Sequence, residues 1–235
     1  MLLAVSAGIA LGTVPAEGID PYSMKPAELQ VSKEFPQAIA DAVEVQGWRI
    51  FTYRNGLEDP ICEVFWAKEV TGQESPSPPS SRKGKSLVLY SNLRPGALVG
   101  VIRLLPESRA EFREDFHDQK LSPGYYTMRY APISDRDSND FVLLSRVLDD
   151  SNPQRILSTA DLSKLSRVAS GTTEPAVMSL APVDPHRGEY PDVIMADDGS
   201  CILQTKLHLK EQTGPVREVT FAIILARPPE EGDGS

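Results

Sequence analysis

The sequence predicts a mainly β protein, an antiparallel β-sandwich of about nine strands with one or two short helices. A β-barrel is the alternative, since periodicity does not separate the two. Three observations predict this class. Short segments of alternating apolar residues recur along the 235-residue chain, 16 glycines and 20 prolines supply turns between them, and helical patterns are few. Hydrophobic residues make up 40% of the chain, enough to bury a sizeable core, and we predict one domain over residues 17–227.

The predicted strands begin with a hairpin. Trp48–Tyr53 is rich in aromatic and β-branched residues, and apolar alternation resumes over 61–70. Asn55-Gly56 begins the turn between them, which Leu57–Pro60 is expected to lengthen. The further predicted strands cover residues 87–90, 97–105, 125–131, 141–147, 176–180, 201–209 and 219–226.

Turn residues separate most of these segments. Arg94-Pro95-Gly96 and Pro123-Gly124 each precede a predicted strand. Asp198-Gly199 precedes 201–209, the clearest alternation in the chain, and predicts a hairpin turn. The segment 219–226 is almost continuously apolar, which is typical of a strand that is central in a sheet or covered on both faces.

Two segments carry helical patterns. Pro36–Glu44 contains good helix formers, with a proline at the expected first turn. Ser158–Ala169 places its leucines and Val168 on one stripe, with Ser158 or Thr159 as the cap and Gly171 just beyond the end. We expect the second helix to pack on a sheet edge or to cross between sheets.

Two segments have the composition of irregular structure. Residues 72–86 hold five serines, three prolines and two glycines, which predicts a mobile loop within the domain. The tail 228–235 is acidic and rich in proline and glycine, and we expect it to be disordered.

The first residues resemble an export signal. Met1–Ala16 carries no charged side chain, Leu2–Val14 is apolar and too short to cross a bilayer, and Val14-Pro15-Ala16 has the small-x-small pattern of a cleavage site. No lysine or arginine precedes the apolar run, which departs from the usual signal. We therefore predict a signal peptide over residues 1–16 and an exported protein, periplasmic or extracellular. The alternative is an ordinary buried element.

The net charge limits the classes of binding partner that we expect. The net charge is −9 and the pI about 4.9, with no clustered basic segment, so a nucleic-acid partner is not expected. After Ala16 no apolar run approaches the length of about 20 residues that spans a membrane, so no membrane span is expected in the mature chain. A protein or a glycan at the cell envelope is the expected partner.

The two cysteines leave two alternatives open. Cys62 and Cys201 both alternate with apolar residues and are expected to face the core. In an exported protein they could form a disulfide. The other interpretation is two separate buried thiols that pack as small hydrophobic groups.

One predicted strand entry carries a family resemblance. The run Leu121-Ser-Pro-Gly-Tyr-Tyr-Thr-Met-Arg-Tyr130 resembles the Leu-x-Pro-Gly-x-Tyr strand entry of transthyretin-like and carboxypeptidase-regulatory-like β-sandwich modules. In this pattern Pro-Gly forms the turn, and we expect Tyr126 to pack its ring between the sheets. The resemblance implies a non-catalytic accessory or binding module and assigns no catalytic residue.

The residues of this strand suggest a ligand platform. Tyr125 and Arg129 share one face of the strand, and an aromatic ring beside a planar guanidinium suits a sugar or a peptide. They are our candidate ligand-binding residues. The alternative is a solvated sheet face.

A calcium site is the one candidate cofactor site. Asp135, Asp137 and Asn139 place oxygen atoms at alternate positions, as at the start of a calcium loop. The sixth position is Asp140 instead of the glycine that permits the sharp turn, and the downstream glutamate is missing. A polar loop between strands is therefore the favoured interpretation of the cluster, and calcium binding is the alternative.

No complete catalytic motif is present in the sequence, so the leading hypothesis is a non-enzymatic binding module. The alternative is a metal-dependent hydrolase whose site comes from distant loops, with Asp115, His117 and the 135–140 segment as candidates. The other histidines are dispersed, and His208 falls on the polar face of its strand.

Overall fold

The computed structural model describes residues 21–32, 35–54, 57–73, 90–106, 121–132, 140–184 and 189–226. Within these ranges the chain forms eleven strands and two helices. The strands are β1 (Tyr22–Glu28), β2 (Gln46–Arg54), β3 (Leu57–Trp66), β4 (Val70–Thr71), β5 (Leu98–Leu104), β6 (Gly124–Ala131), β7 (Phe141–Arg146), β8 (Val177–Ser179), β9 (Asp192–Met195), β10 (Cys201–Lys210) and β11 (Arg217–Ala226). The helices are α1 (Gln37–Ala42) and α2 (Thr159–Ser170).

Two sheets contain these strands. The larger sheet has seven strands in the order β1-β2-β3-β5-β6-β7-β8, and each neighbouring pair is antiparallel. The smaller sheet is built on β10, which pairs with β11 along one edge. Along its other edge β10 pairs with β9 in antiparallel and with the short β4 in parallel orientation.

The two sheets approach each other on both sides. On one side Leu180 and Ile223 form a β-bridge, and the Ala181 N–H donates to the Ala222 carbonyl at 3.0 Å. On the other side the Tyr22 hydroxyl donates to the Gly199 carbonyl at 2.9 Å, where β1 lies next to β9. The predicted mainly β, antiparallel class is confirmed. The curled larger sheet combines features of the sandwich and of the barrel.

The main hydrophobic core lies between the sheets. The larger sheet contributes alternate residues of its strands, and β6 supplies Tyr126, Met128 and Tyr130, each at most 1% exposed. The smaller sheet contributes Phe221 and Leu203 among others. The expectation that the Tyr126 ring packs between the sheets is confirmed. Its hydroxyl donates to the Ser122 carbonyl at 2.6 Å, so the buried ring keeps a polar partner.

The outer face of the larger sheet is also covered over much of its area. Helix α1 packs there through Ile39, together with Phe35 and Val101. Helix α2 packs through Leu162 on β7. Both helices were predicted. The Ser158 side chain caps α2 by accepting the Asp161 N–H at 3.1 Å, as expected from sequence.

Several boundaries differ from the prediction. The hairpin of β2 and β3 is tighter than expected, because β3 begins at Leu57, which pairs with Arg54. The predicted strand 61–70 is divided into the end of β3 and the separate β4. Strands β1 and β9 were not predicted. Of the predicted strand 87–90, Tyr90 lies in a turn and the other residues are outside the described ranges, as are residues 1–16, 74–86 and 228–235.

Candidate functional site

Tyr125 lies at the start of β6 on the outer face of the larger sheet. Its partly buried ring meets the Phe35 ring edge to face, with centroids 5.0 Å apart. Its hydroxyl donates to the Gln30 carbonyl at 3.0 Å. The Arg103 guanidinium lies 5.2 Å from the ring centroid, within the range of a cation–π contact. Three segments of the chain therefore hold this ring in one orientation.

A cavity of about 220 Å³ opens beside Tyr125. Its volume lies below the ~300–1,000 Å³ of pockets that hold drug-sized ligands, so it suits one ring-sized group. The turn at 123–124 provides one wall, and the end of β7 with the turn after it provides the opposite wall. The lining residues are Ser32, Phe35, Pro123, Gly124, Tyr125, Tyr126, Arg146, Val147 and Leu148.

Arg146 supplies the charge of this cavity. It is the last residue of β7, it is exposed, and it pairs in register with Tyr126. Among the residues that the structure describes, no carboxylate forms an ion pair with it. Leu148, 61% exposed, adds an apolar wall next to it. The cavity thus combines aromatic rings, an apolar side chain and a guanidinium that has no carboxylate partner in the described part of the chain.

A row of charged side chains crosses the strands next to the cavity. Glu63 on β3 is buried and accepts from Arg49 at 2.5 Å and from Arg103 at 3.1 Å. Glu63 therefore fixes the Arg103 guanidinium over the Tyr125 ring. Burial raises the pKa of the Tyr125 phenol, which Arg103 opposes, so the hydroxyl remains a hydrogen-bond donor at neutral pH.

Arg129 lies on the same face of β6 but is completely buried. Its guanidinium forms a two-pronged pair with Asp150, with N–O distances of 2.5 and 2.9 Å. The remaining N–H groups donate to the carbonyls of Gly96, Arg155 and Asn152 at 2.7 to 2.9 Å. All five N–H groups of the side chain are therefore engaged by the protein itself.

The platform predicted from sequence is thus divided. Tyr125 lines the cavity, whereas Arg129 links β6 to the segment 150–155 and has no donor left for a ligand. The period-2 pattern placed both residues on one face correctly, but it does not show which part of that face is covered. Arg146 lies on the neighbouring strand β7, where it pairs with Tyr126 instead of Tyr125, and it is the charged residue among those that line the cavity.

The predicted calcium ligands Asp135, Asp137 and Asn139 lie outside the described residues, as do Asp115 and His117. The adjacent Asp140 is described and buried. Its carboxylate accepts from the Tyr90 N–H and the Tyr130 hydroxyl, both at 3.0 Å. Within the described ranges no three His, Cys, Asp or Glu side chains are grouped to hold a metal ion. The calcium site stays a prediction.

Cys62 and Cys201 both lie in the main core with no exposed surface, as the alternation predicted. Both are thiols. Burial raises the pKa of the Cys62 thiol well above its usual value, and the neighbouring Cys201 raises it further. A thiol in this state packs as a hydrophobic group. His208 is exposed on β10, as its position on the polar face indicated.

Comparison with known proteins adds no homologue. No family model matches the chain, and searches of curated proteins and of solved structures find no similar protein. None of the described helices has the length and apolar character needed to span a membrane.

Proposed function

We propose that the protein is an exported, non-enzymatic β-sandwich module that binds a glycan through the cavity beside Tyr125. One observation carries the proposal: Tyr125, Phe35 and the exposed Arg146 converge on a single small cavity. The resemblance of the Leu121–Tyr130 strand entry to accessory modules supports a binding role, and the apolar run Leu2–Val14 supports export.

The chemistry of the cavity favours a sugar over a peptide side chain. A sugar ring has an apolar face that contacts aromatic rings and a rim of oxygen atoms that accept hydrogen bonds. The planar guanidinium of Arg146 can donate two parallel hydrogen bonds to adjacent oxygens. An apolar side chain would leave these donors unpaired, at a cost in binding free energy.

The partly open shape defines how the ligand is bound. A cavity of about 220 Å³ holds one ring, so the rest of an oligosaccharide would extend over the surface. Arg103 lies on the neighbouring strand β5 and Arg49 on β2, two strands further along the sheet, but Glu63 already pairs with both. We therefore expect glycan specificity to depend mainly on the sugar unit that contacts Arg146.

A glycan array probed with wild-type protein and with R146Q tests the proposal. We expect wild type to bind a subset of glycans. R146Q is expected to bind the same glycans at least about tenfold more weakly, because charge-assisted hydrogen bonds are lost. R167Q is the matched control, since Arg167 is exposed on α2 and does not line the cavity. Equal binding by wild type and R146Q, or no glycan binding by wild type, would contradict the proposal.

A further inference from the structure

The strand β11 is paired along its two edges to different extents. One edge pairs with β10 over residues 217–226. Among the described residues, the opposite edge meets the larger sheet only in its C-terminal half, through the bridge from Leu180 to Ile223 and the hydrogen bond from Ala181 to Ala222. The first residues of β11 lie beyond this junction.

The direction of the backbone groups in this first part follows from the ladder. In an antiparallel strand the N–H and C=O of alternate residues point to opposite edges. The Ala222 carbonyl accepts from Ala181, so Ala222 points away from β10. Thr220 and Glu218 lie two and four residues earlier and therefore point the same way. Among the described residues, these outward groups of Thr220 and Glu218 have no backbone partner.

A groove of about 510 Å³ runs along this part of the edge. Glu218, Val219 and Thr220 form one side, and Pro182 with Val183 forms the other. Tyr90 and Asn92 complete the lining. The segment after β8 leaves β11 at Pro182, which has no N–H to continue the pairing. Within the described ranges, the result is a strand edge whose outward donors and acceptors have no backbone partner.

We propose that residues 217–220 of β11 are a docking edge to which an extended, basic peptide segment of a partner protein adds as a further strand. Free N–H and C=O groups at the spacing of a strand are matched by another extended backbone, which is the basis of recognition by β-strand addition. Glu218 is the acidic residue of the groove; Lys206 contacts one of its oxygens at 3.0 Å, but the Glu218 side chain is 55% exposed, and the chain carries a net charge of −9, so basic side chains are favoured. This edge is separate from the Tyr125 cavity.

Thr220→Pro tests the edge selectively. Because the Thr220 N–H points away from β10, proline removes an outward donor and blocks pairing there without removing a hydrogen bond of the β10–β11 ladder. Thr220→Val is the matched control, since it keeps the N–H and suits a strand. The probe is a synthetic peptide of alternating lysine and valine, about six residues long, the usual length of a strand. Its counterpart has glutamate in place of lysine.

Peptide binding is measured by fluorescence anisotropy on the full chain, with amide hydrogen exchange of Glu218 and Thr220 as a second measurement. We expect the lysine peptide to bind wild type and T220V, to bind T220P about tenfold more weakly, and to slow exchange at both amides. Failure of the lysine peptide to bind, equal binding of the glutamate peptide, or equal binding to T220P would overturn the proposal.

Hydrogen exchange distinguishes the other occupants without a variant. If both amides exchange slowly in the free monomer, the chain itself covers the edge. If slow exchange appears only as protein concentration rises, a second copy covers it. Either result overturns the proposal, even where T220P fails to fold. Thr220 does not line the Tyr125 cavity, so glycan binding is expected to be the same in wild type and T220P, and a failure at this edge is distinguished from a failure at the cavity.

Discussion

At the scale of single residues, Arg129 shows how a charged group is accommodated inside this protein. Asp150 accepts from its guanidinium and also from the Thr127 hydroxyl at 2.7 Å, and carbonyls take the remaining donors. Only arginine offers five donors in a planar fork, so lysine would leave several of these acceptors unpaired. The pair holds the segment 150–155 against β6, with its burial compensated by complete hydrogen bonding.

We expect R129M to lower the free energy of unfolding by about 3–5 kcal/mol, because it leaves the Asp150 carboxylate buried without its cation. Urea denaturation measures this change. The matched control is K206M, which removes the exposed pair with Glu218 and should cost about 1 kcal/mol or less. A loss for R129M no larger than for K206M would show that the buried pair is not needed.

At the scale of elements, the turn before β5 depends on a glycine. Gly96 has φ of +85°, and a Cβ atom there would lie 2.1 Å from the Leu157 carbonyl oxygen. Its N–H donates to the Tyr130 carbonyl at 2.8 Å, so the turn cannot move away from β6 without losing that bond. Gly171, after α2, also has positive φ, at +70°, but has open space around its Cα.

We therefore expect Gly96→Ala to destabilise the protein much more than Gly171→Ala. The second substitution costs about 1–2 kcal/mol for the left-handed conformation alone. The first adds a backbone clash that must displace either the turn or Leu157, and we expect a total of about 3 kcal/mol or more. Thermal or urea unfolding of the two variants side by side measures the difference, and equal losses would contradict the argument.

Elements with strong local patterns were predictable from the sequence. The alternation of apolar and polar residues from Cys201 to Leu209 is sufficient to predict strand β10. Ser158 and Gly171 are typical capping residues, and they indicate where α2 begins and ends. Strand β1 was not predictable, since Lys25 and Pro26 disfavour a strand, and it exists because it pairs with β2 along the sheet edge, where proline is tolerated. The cavity was unpredictable for the same reason: its walls come from segments near residues 32, 124 and 147 that only the fold brings together.

At the scale of the whole molecule, a polar cluster joins the two sheets. The Tyr90 hydroxyl donates to the Ala181 carbonyl at 2.6 Å and accepts the Ala222 N–H at 2.9 Å. Through the Asp140 carboxylate the same cluster reaches Tyr130 on β6. Burial is the main cause that raises the pKa of the Tyr90 and Tyr130 phenols above the ordinary value. The nearby Asp140 charge raises the pKa of both phenols further.

This cluster predicts loss of stability in alkali. A raised pKa in the folded state means that the neutral phenols stabilise the fold fully below the unfolded value of about 10, and that this stability is lost as pH rises above it. Of the seven tyrosines, we expect Tyr90 and Tyr130 to ionise only as the protein unfolds. Absorbance at the phenolate band and circular dichroism, followed together against pH, measure this.

Y90F and Y130F are expected to ionise one fewer tyrosine in the unfolding step. Ionisation of every tyrosine in one transition near pH 10, with the fold intact, would contradict the assignment of Tyr90 and Tyr130 to this buried cluster.

The junction of Leu180 with Ile223 has a consequence for how the protein is made. Strands β10 and β11 are the last that the structure describes, and they cover the inner face of a seven-stranded sheet that is synthesised before them. While the ribosome is still adding these strands, Met128 and its neighbours on that face have no opposing layer. This apolar face is therefore open to aggregation until the C-terminal strands emerge, and truncation before β10 would remove the layer that covers it.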